Sequence, residues 1–496
     1  MMFRGRTVLA FVMIAILASV VLTTAIIAPS NGSLGWFGDD RTNATNESPH
    51  TESPVVEGIS ESDLNKLQTT YQIINKKFLH DIDKRKLIDG AIQGMLSTLD
   101  DPYTVYMDPE QTGEFEQEVD AFFTGIGAEV SLENGNVVVV APIKGSPAEK
   151  AGIRARDLIL AVNGESLAGL TLTEAVEKIR GPKGTQAKLQ IKRDNQEKPI
   201  ELILVRDEID LETVFSEMLE GGIGKIEIRQ FSVHTVSSFR EQLADLEKQG
   251  FKGLIIDVRN NPGGYLEGVA HVLYTLIPKG QTLLMTEDRD GKREVLASEG
   301  PGRSYPISVL INEGSASASE ILAAAVQQSA GGKAIGVNSY GKGTVQSQYS
   351  EAYGDGSVLK LSIAKWLTPN GSWIHEIGVQ PDIVVQQPDY FYVAPINREK
   401  VWKQDDMGED VKNLQLMLKA LGFAPDRLDG YFSEQTAEAL KKFQEKGNLN
   451  ITGELDVKTI DQLELDVIEL LLKPENDAQL QAAVQYMASE IAKGAF

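Results

Sequence analysis

Apolar residues return at helical steps at Leu64, Leu67, Tyr71, Ile74 and Phe78, and a second helical pattern covers 85–99. Residues 59–118 are therefore expected to be a helical packing element. Between 122 and 207 the period changes. An apolar run at 137–141 predicts a strand, LTLTEAVEKIRG predicts a helix, and the stretch reads as a self-contained unit of strand–helix–strand character. From 208 to 400, short apolar runs at 223–228, 253–258, 308–311, 333–337 and 357–364 alternate with helical patterns at 236–249, 266–276 and 318–328. That alternation indicates an α/β sheet. Helical steps resume at Val411, Leu414 and Leu418 and again at Ala437, Leu440 and Phe443, which predicts a small all-helical unit over 401–466. A last amphipathic helix is expected over 477–492, within a helical tail at 467–496.

The first residues follow another pattern. Residues 7–28, TVLAFVMIAILASVVLTTAIIA, form a run of 22 residues without a charge, long enough to span a bilayer. Arg4 and Arg6 precede it, which favours a cytoplasmic tail at 1–6 with everything after the run exported. The run exceeds the apolar region of a typical cleaved signal peptide, so an uncleaved anchor is expected. Residues 29–58 are polar and turn-rich and read as a flexible spacer.

Composition narrows the chemistry. Acidic residues outnumber basic ones by 71 to 48, a net charge of −23, which argues against a nucleic-acid partner. With no cysteine, disulfides, thiol nucleophiles and cysteine-ligated metals are excluded. The five histidines, His50, His80, His234, His271 and His375, show no ligand spacing, so no metal site is expected. His271 or His375 in a Ser-His-Asp triad is the weaker alternative.

Candidate chemistry concentrates at 312–346, NEGSASASEILAAAVQQSAGGKAIGVNSYGKGTVQ. A turn of small residues opens onto an alanine- and leucine-rich helix, which Gly331 and Gly332 stop. A short strand then leads to Gly341-Lys342-Gly343-Thr344-Val345-Gln346. A serine at a helix N-terminus, a lysine between glycines and a glutamine four residues on can form one set: Ser317 attacks, Lys342 takes its proton and Gln346 orients the lysine amine. Such a lysine must be desolvated enough to be neutral. Two plainer readings stand beside this one. Ser317 with Glu320 fits the S-x-x-E capping box, and 341–344 fits a solvated turn. The glycine after Lys342 excludes the phosphate-loop pattern.

The blocks NEGSASASE and GKGTVQ resemble the active site of the C-terminal processing (tail-specific) proteases, a Ser/Lys peptidase family. The resemblance implies Ser317 as nucleophile, with Ser315 and Ser319 as competitors, Lys342 as general base and Gln346 as the residue that orients it. It extends to DVRNNPGGYLEG (257–268), whose glycine turn supplies an oxyanion-hole amide in the family. Gly263 or Gly264, together with the amide of Ala318, is the implied pair. LSIAKWLTPNGSWIHEIGVQPD (361–382) matches the family's closing strands, and the implied core over 208–400 is crotonase/ClpP-like.

Residues 119–207, with KGSPAEKAGIRARDLILAVNGESL, resemble a PDZ domain of the processing-protease type. Such a domain binds a peptide C-terminus by strand addition and holds its carboxylate on a glycine loop, here Gly125, Ile126 and Gly127. Arg156-Asp157 stands where many relatives carry Gly-Asp. Arg180, just after the domain's helix, is a candidate for meeting the peptide or coupling its binding to the core, with a solvated surface role as the alternative. The segments GEDVKNLQLMLKALGF, LDGYFSEQTAEALKKFQ and TGELDVKTIDQL resemble the small helical peptidoglycan-binding domain.

The expected architecture is multidomain α/β: a PDZ domain inserted before a crotonase/ClpP-like α/β protease core, followed by a small all-α peptidoglycan-binding-like domain. The expected function is that of a serine endopeptidase with a Ser/Lys dyad. It would recognise protein C-termini through the PDZ domain and cleave exported proteins at the cell envelope through an acyl-enzyme, without metal or other cofactor. Expected partners are the tails of exported substrates, peptidoglycan, the membrane through one N-terminal helix, and a second copy in a homodimer. The expected location is the cell membrane, single-pass, with the catalytic part facing a Gram-positive type wall. A catalytically silent PDZ/cell-wall adaptor is the alternative.

Overall fold

The computed structural model describes residues 58–494 apart from 134, 144, 194–197 and 351. The anchor expected at 7–28 and all but the last residue of the spacer lie outside the described residues. No helix among the described residues is long and apolar enough to cross a membrane. The described residues divide into two compact units, a larger one within 116–344 and 365–494 and a smaller one within 58–115 and 345–364.

The larger unit is built on a six-stranded sheet whose strands follow one another in chain order: β1 (Val214–Leu219), β2 (Ile223–Ile228), β3 (Gly253–Asp257), β4 (Ile307–Ile311), β5 (Lys333–Gly336) and β6 (Ile383–Val384). β1 and β2 form an antiparallel hairpin, and all later neighbours are parallel. Parallel strands are covered on both faces, which is why β3 and β4 are largely apolar, broken only by Asp257 and Ser308, and are buried at every position. α1 (Thr235–Lys248) packs on β1 and β2, followed by α2 (Leu266–Leu276), and α3 (Ala318–Ser329) packs on β4 and β5. Ile255, Leu310 and Ile335 are covered instead by α4 (Ala478–Ala492) through Leu480, Ala483 and Met487. α4 lies so close that a Cβ on Gly253 would stand 2.5 Å from Met487 Sδ. The helix expected as part of a tail is a layer of the core.

Between β6 and α4 the chain forms the helical module: Glu409–Ala420, Glu434–Lys446 and Val457–Leu471 around a core that includes Val411, Leu414, Leu418, Leu440 and Phe443. Its third helix runs past the boundary expected at 466.

Residues 128–205 form a separate antiparallel sheet in the order Ala128–Glu133, Asn136–Pro142, Leu158–Val162, Gln186–Lys192, Ile200–Val205. Helix Leu172–Ile179 opens with a capping box between Thr171 and Glu174. Its buried Ala175 and Ile179 join the domain core. This is more strand than the apolar pattern implied. Arg156 sits at φ 72, where glycine is the easier residue, yet the turn is kept. Asp157, buried beside it, accepts the Arg154 N–H at 2.9 Å and the Arg193 Nε–H at 2.7 Å. Burial pushes its carboxyl up, but the bonds from Arg193 and Arg154 hold it below the usual carboxylate range. The ends of this segment close as a ribbon, Phe122–Gly125 antiparallel to Asp207–Asp210.

In the smaller unit, helices Glu61–Lys77 and Lys84–Leu96 are N-capped by Ser60 and Asp83, and neither buries a single residue. Helix Lys84–Leu96 packs on strand Val105–Met107, whose Tyr106 hydroxyl donates to Asp89 Oδ1 at 2.9 Å, while Leu64 and Leu67 of the first helix stay exposed. Strand Val105–Met107 pairs antiparallel with Val358–Lys360. Lys360 is fully buried, its ammonium 5.2 Å from the Phe115 ring centroid and without a hydrogen-bond partner. Burial pushes its pKa down to about 7, against the pull of Asp101.

Candidate active site

Three serines share the turn before α3, and their surroundings separate them. Ser315 is fully buried; its Oγ donates to Val258 O at 2.8 Å and accepts the Asn312 N–H at 3.0 Å. Ser319 is also fully buried, with its Oγ donating to Asn261 O at 2.9 Å. Both hydroxyls are committed to holding the turn against the segment that leaves β3. Ser317 is the N-cap of α3 and adopts φ 53, ψ −109. A residue with a Cβ held there carries on the order of 1–3 kcal/mol of strain. The geometry resembles the sharp strand-to-helix turn that presents a nucleophile at the top of a sheet.

Glu320 links this turn to the lysine loop. Its Oε2 accepts both the Ser317 N–H at 2.7 Å and the Lys342 N–H at 2.9 Å, so the two backbones lie at most two hydrogen bonds apart. Oε1 accepts the Ser339 hydroxyl and the Gly341 N–H, each at 2.6 Å. Burial pushes the Glu320 carboxyl up, and its four donors draw it back toward the charged form. The S-x-x-E pattern marked this residue only as a cap. The bond to Ser317 N is the backbone half of a capping box, but the same carboxylate also organises a second loop.

Lys342 itself is 2 % exposed. Its carbonyl accepts the Trp366 indole N–H at 2.7 Å, and the Gly343 carbonyl accepts that of Trp373 at 2.8 Å. Close packing explains the flanking glycines. A Cβ on Gly343 would stand 2.7 Å from His375 N, and one on Gly341, at φ 94, would stand 3.0 Å from the Glu376 backbone. The loop is therefore packed rather than a solvated turn. Gln346, four residues on, belongs to the smaller unit, where it is buried and donates from Nε2 to Ser362 Oγ at 3.3 Å.

The glycine turn after β3 is ordered by Asn261, which is fully buried. Its Nδ2 donates to Ile228 O at 2.7 Å, its Oδ1 accepts the Gly263 N–H at 2.8 Å, and its carbonyl accepts the Ala316 N–H at 3.0 Å. The amide of Gly263 is thus engaged. Gly264 sits at φ 137, where a Cβ would clash with Phe231 O at 2.1 Å. The bridge there uses the Gly263 carbonyl and the Tyr265 N–H, which turns the Gly264 N–H to the other side. Ala318 is the first residue of α3, a position whose N–H has no intrahelical acceptor. Nothing local in the sequence pointed to Asn261, Trp366 or Trp373, because each acts on residues distant in the chain.

In the domain of residues 119–207, Ile126 is buried in the core and its carbonyl accepts the Ala148 N–H at 2.8 Å. Gly127, at φ 74, leaves no room for a Cβ, which would stand 2.3 Å from Ser146 Cβ. The strand that follows, Ala128–Glu133, is a terminal strand of its sheet, as strand addition requires. Arg180 is exposed, and its guanidinium lies 5.1 Å from the Phe123 ring centroid beside Gly125.

Sequence profiles match in four places: the CtpB-type N-terminal domain at 31–111, the PDZ domain at 138–193, peptidase family S41 at 222–385 and the peptidoglycan binding domain at 407–463. The chain is 44 % identical over 426 residues to carboxy-terminal processing protease CtpB of Bacillus subtilis (strain 168), covering 85 % of this chain and 88 % of that one. It is 41 % identical over 432 residues to CtpA of the same organism, covering 87 % and 91 %. Among solved structures it is similar to the photosystem II D1 C-terminal processing protease, with 30 % identity, a TM-score of 0.40 and coverage of 65 % and 86 %. Identity of 44 % and 41 % over nearly the whole of the two Bacillus proteins means that the chain belongs to the carboxy-terminal processing proteases of peptidase family S41, serine peptidases that hydrolyse peptide bonds.

Proposed function

We propose that hydrolysis proceeds through a Ser317/Lys342 dyad and an acyl-enzyme. The observation that carries this reading is the shared Glu320 oxygen, which joins the backbones of the two residues. Neutral Lys342 takes the proton of Ser317 as its Oγ adds to the scissile carbonyl. The Gly264 and Ala318 amides stabilise the oxyanion, and Lys342 returns the proton to the leaving amine. Water, deprotonated by the same lysine, then releases the acyl group. Gln346 orients the Lys342 amine, a role that follows from its spacing and the family resemblance.

The substrate is a protein C-terminus bound along the edge strand Ala128–Glu133, its carboxylate on the Gly125-Ile126-Gly127 loop and near Arg180. Work at the cell envelope is supported by the apolar run at 7–28 and by the wall-binding module. These features favour a single-pass anchor with the catalytic part facing a Gram-positive type wall. A homodimer is supported by the unburied apolar residues of the N-terminal helices, such as Leu64 and Leu67.

The test uses the full chain in detergent as wild type, Ser317→Ala, Lys342→Ala and Gln346→Ala. The substrates are an unfolded protein ending in apolar residues and the same protein ending in two aspartates. Expected are cleavage by wild type, faster for the apolar tail, none by the first two variants, and a smaller loss in Gln346→Ala than in Lys342→Ala. Cleavage that survives Ser317→Ala would remove the dyad.

A further inference from the structure

Arg259 stands between the end of β3 and the turn that carries Gly263 and Gly264. Its guanidinium is held on two sides. Nε and Nη2 donate to Asp257 at 2.9 and 2.7 Å, and Nη1 and Nη2 donate to the two Asp477 oxygens at 2.9 and 2.8 Å. Nη1 also reaches Gln479 Oε1 at 3.2 Å. Asp477 lies 218 residues away in sequence and is the N-cap of α4, where its Oδ1 accepts the Leu480 N–H at 2.9 Å. One planar fork therefore joins the end of β3, the glycine turn and the cap of a helix that follows the wall-binding module.

The turn needs such a holder. Asn260, Gly263 and Gly264 all have positive φ, so the backbone there has little preference of its own for this path. An oxyanion amide must nevertheless be preorganised, since a displacement of about 1 Å can cost roughly a hundredfold in rate. Asn260 N–H donates to Asn312 Oδ1, and Asn312 Nδ2 donates to Asn260 Oδ1, both at 2.8 Å, which ties the same turn to the serine loop. The Arg259 and Asp477 side chains are each only 14 % exposed, so their paired bonds are stronger than those of a surface ion pair.

We infer that Asp477, with Gln479, is a positioning residue for peptide hydrolysis, acting through Arg259 to hold the Gly264 amide in register with that of Ala318. This rests on the oxyanion site proposed above. α4 then completes the active site from beyond the wall-binding module, and the last part of the chain is a working part of the protease.

The test compares wild type, Asp477→Asn and Gln479→Ala in the full chain. It reads kcat, KM, thermal midpoint and affinity for a peptidyl boronate, which becomes tetrahedral on the serine. It also reads peptide affinity in a Ser317→Ala background. Asp477→Asn is expected to lower kcat and boronate affinity together by roughly ten- to a hundredfold. KM and ground-state peptide affinity should stay within about twofold, as expected for an interaction made only in the transition state. Wild-type kcat and boronate affinity in Asp477→Asn would overturn the inference while leaving the dyad standing. So would equal losses of boronate and ground-state affinity, which mark a purely structural role. If Asp477→Asn does not fold, Gln479→Ala decides: a smaller drop in kcat at unchanged KM supports the inference, and an unchanged kcat overturns it. Failure of the boronate to bind wild type would overturn both the dyad and the inference.

Discussion

Helices Glu61–Lys77 and Ala478–Ala492 lie at opposite ends of the described chain and read alike as amphipathic stretches. The first leaves Leu64 and Leu67 more than half exposed, whereas the second buries Leu480, Ala483 and Met487 almost completely. The first is set by its ends: Ser60 caps it, and its charges suit the helix dipole, with Glu61 and Asp63 in the first turn and Lys76 and Lys77 in the last. The second is set by what it covers, the face of a parallel sheet that water cannot be allowed to reach. The same contrast holds for buried charge. Arg259 is enclosed by two carboxylates, while Lys360 is buried against Phe115 with no counter-ion bonded to it. Periodicity states that a helix has an apolar side; it does not state whether this chain supplies the other half of the contact.

Met487→Ala should destabilise the protein by about 2–5 kcal/mol, because it opens a cavity against Gly253 and β3. Urea unfolding would show it, and a change below about 0.5 kcal/mol would mean that α4 is not a core layer.

Lys360→Met should act in the opposite direction. In the wild type the folded state gives up the Lys360 proton near pH 7 while the unfolded chain keeps it up to the ordinary lysine range. Stability should therefore rise with pH in that window, by up to about 1.4 kcal/mol per pH unit. The methionine variant should be more stable at neutral pH and lack this rise. An identical pH profile in the two proteins would show that Lys360 is not titrating in the fold.

At Asp477 the charged form is the one the fold favours, and stability again rises with pH, now in the acid range. Burial pushes its carboxyl up, but Arg259, the Leu480 amide and Gln387 hold it below its ordinary value. Its contribution is present above the ordinary carboxylate pKa and is lost as pH falls through the lowered one. Acid titration of stability should be steeper in wild type than in Asp477→Asn, and equal slopes would contradict the pairing.

The smallest effect is expected at the other end of the chain. Leu64→Ser with Leu67→Ser should change unfolding free energy by no more than about 0.5 kcal/mol per site at concentrations where the chain is monomeric. Sedimentation should show weaker self-association. A large loss of stability in the monomer would mean that this helix is packed after all.

The outline of this protein was legible in its sequence because most of its elements are local. β2 and α2 span the residues that the apolar pattern marked, and the small residues at 314–318 predicted the turn that carries Ser317. The serine, lysine and glutamine could be named because each sits in a short block with its own turn chemistry. Among the three neighbouring serines the family resemblance singled out Ser317, but the physical reason it stands apart could not be read there. It depends on Val258 and Asn261, far back in the chain, taking the hydroxyls of Ser315 and Ser319. Glu320 looked like a cap because its first partner is three residues away; its other partners arrive only when the loop at 339–342 folds against it.

What the sequence by itself determined, then, are most of the elements, their order, and a set of candidate side chains for the chemistry. These follow from forces that act within a few residues: hydrophobic period, capping and the permissive backbone of glycine. Only the tertiary structure decided that the final helix is a layer of the core, that Gly263 is engaged while Gly264 faces away, and that Asp477 reaches Arg259. Those contacts join residues with no neighbour relation along the chain, and they form only when burial of the sheet brings distant segments to one place.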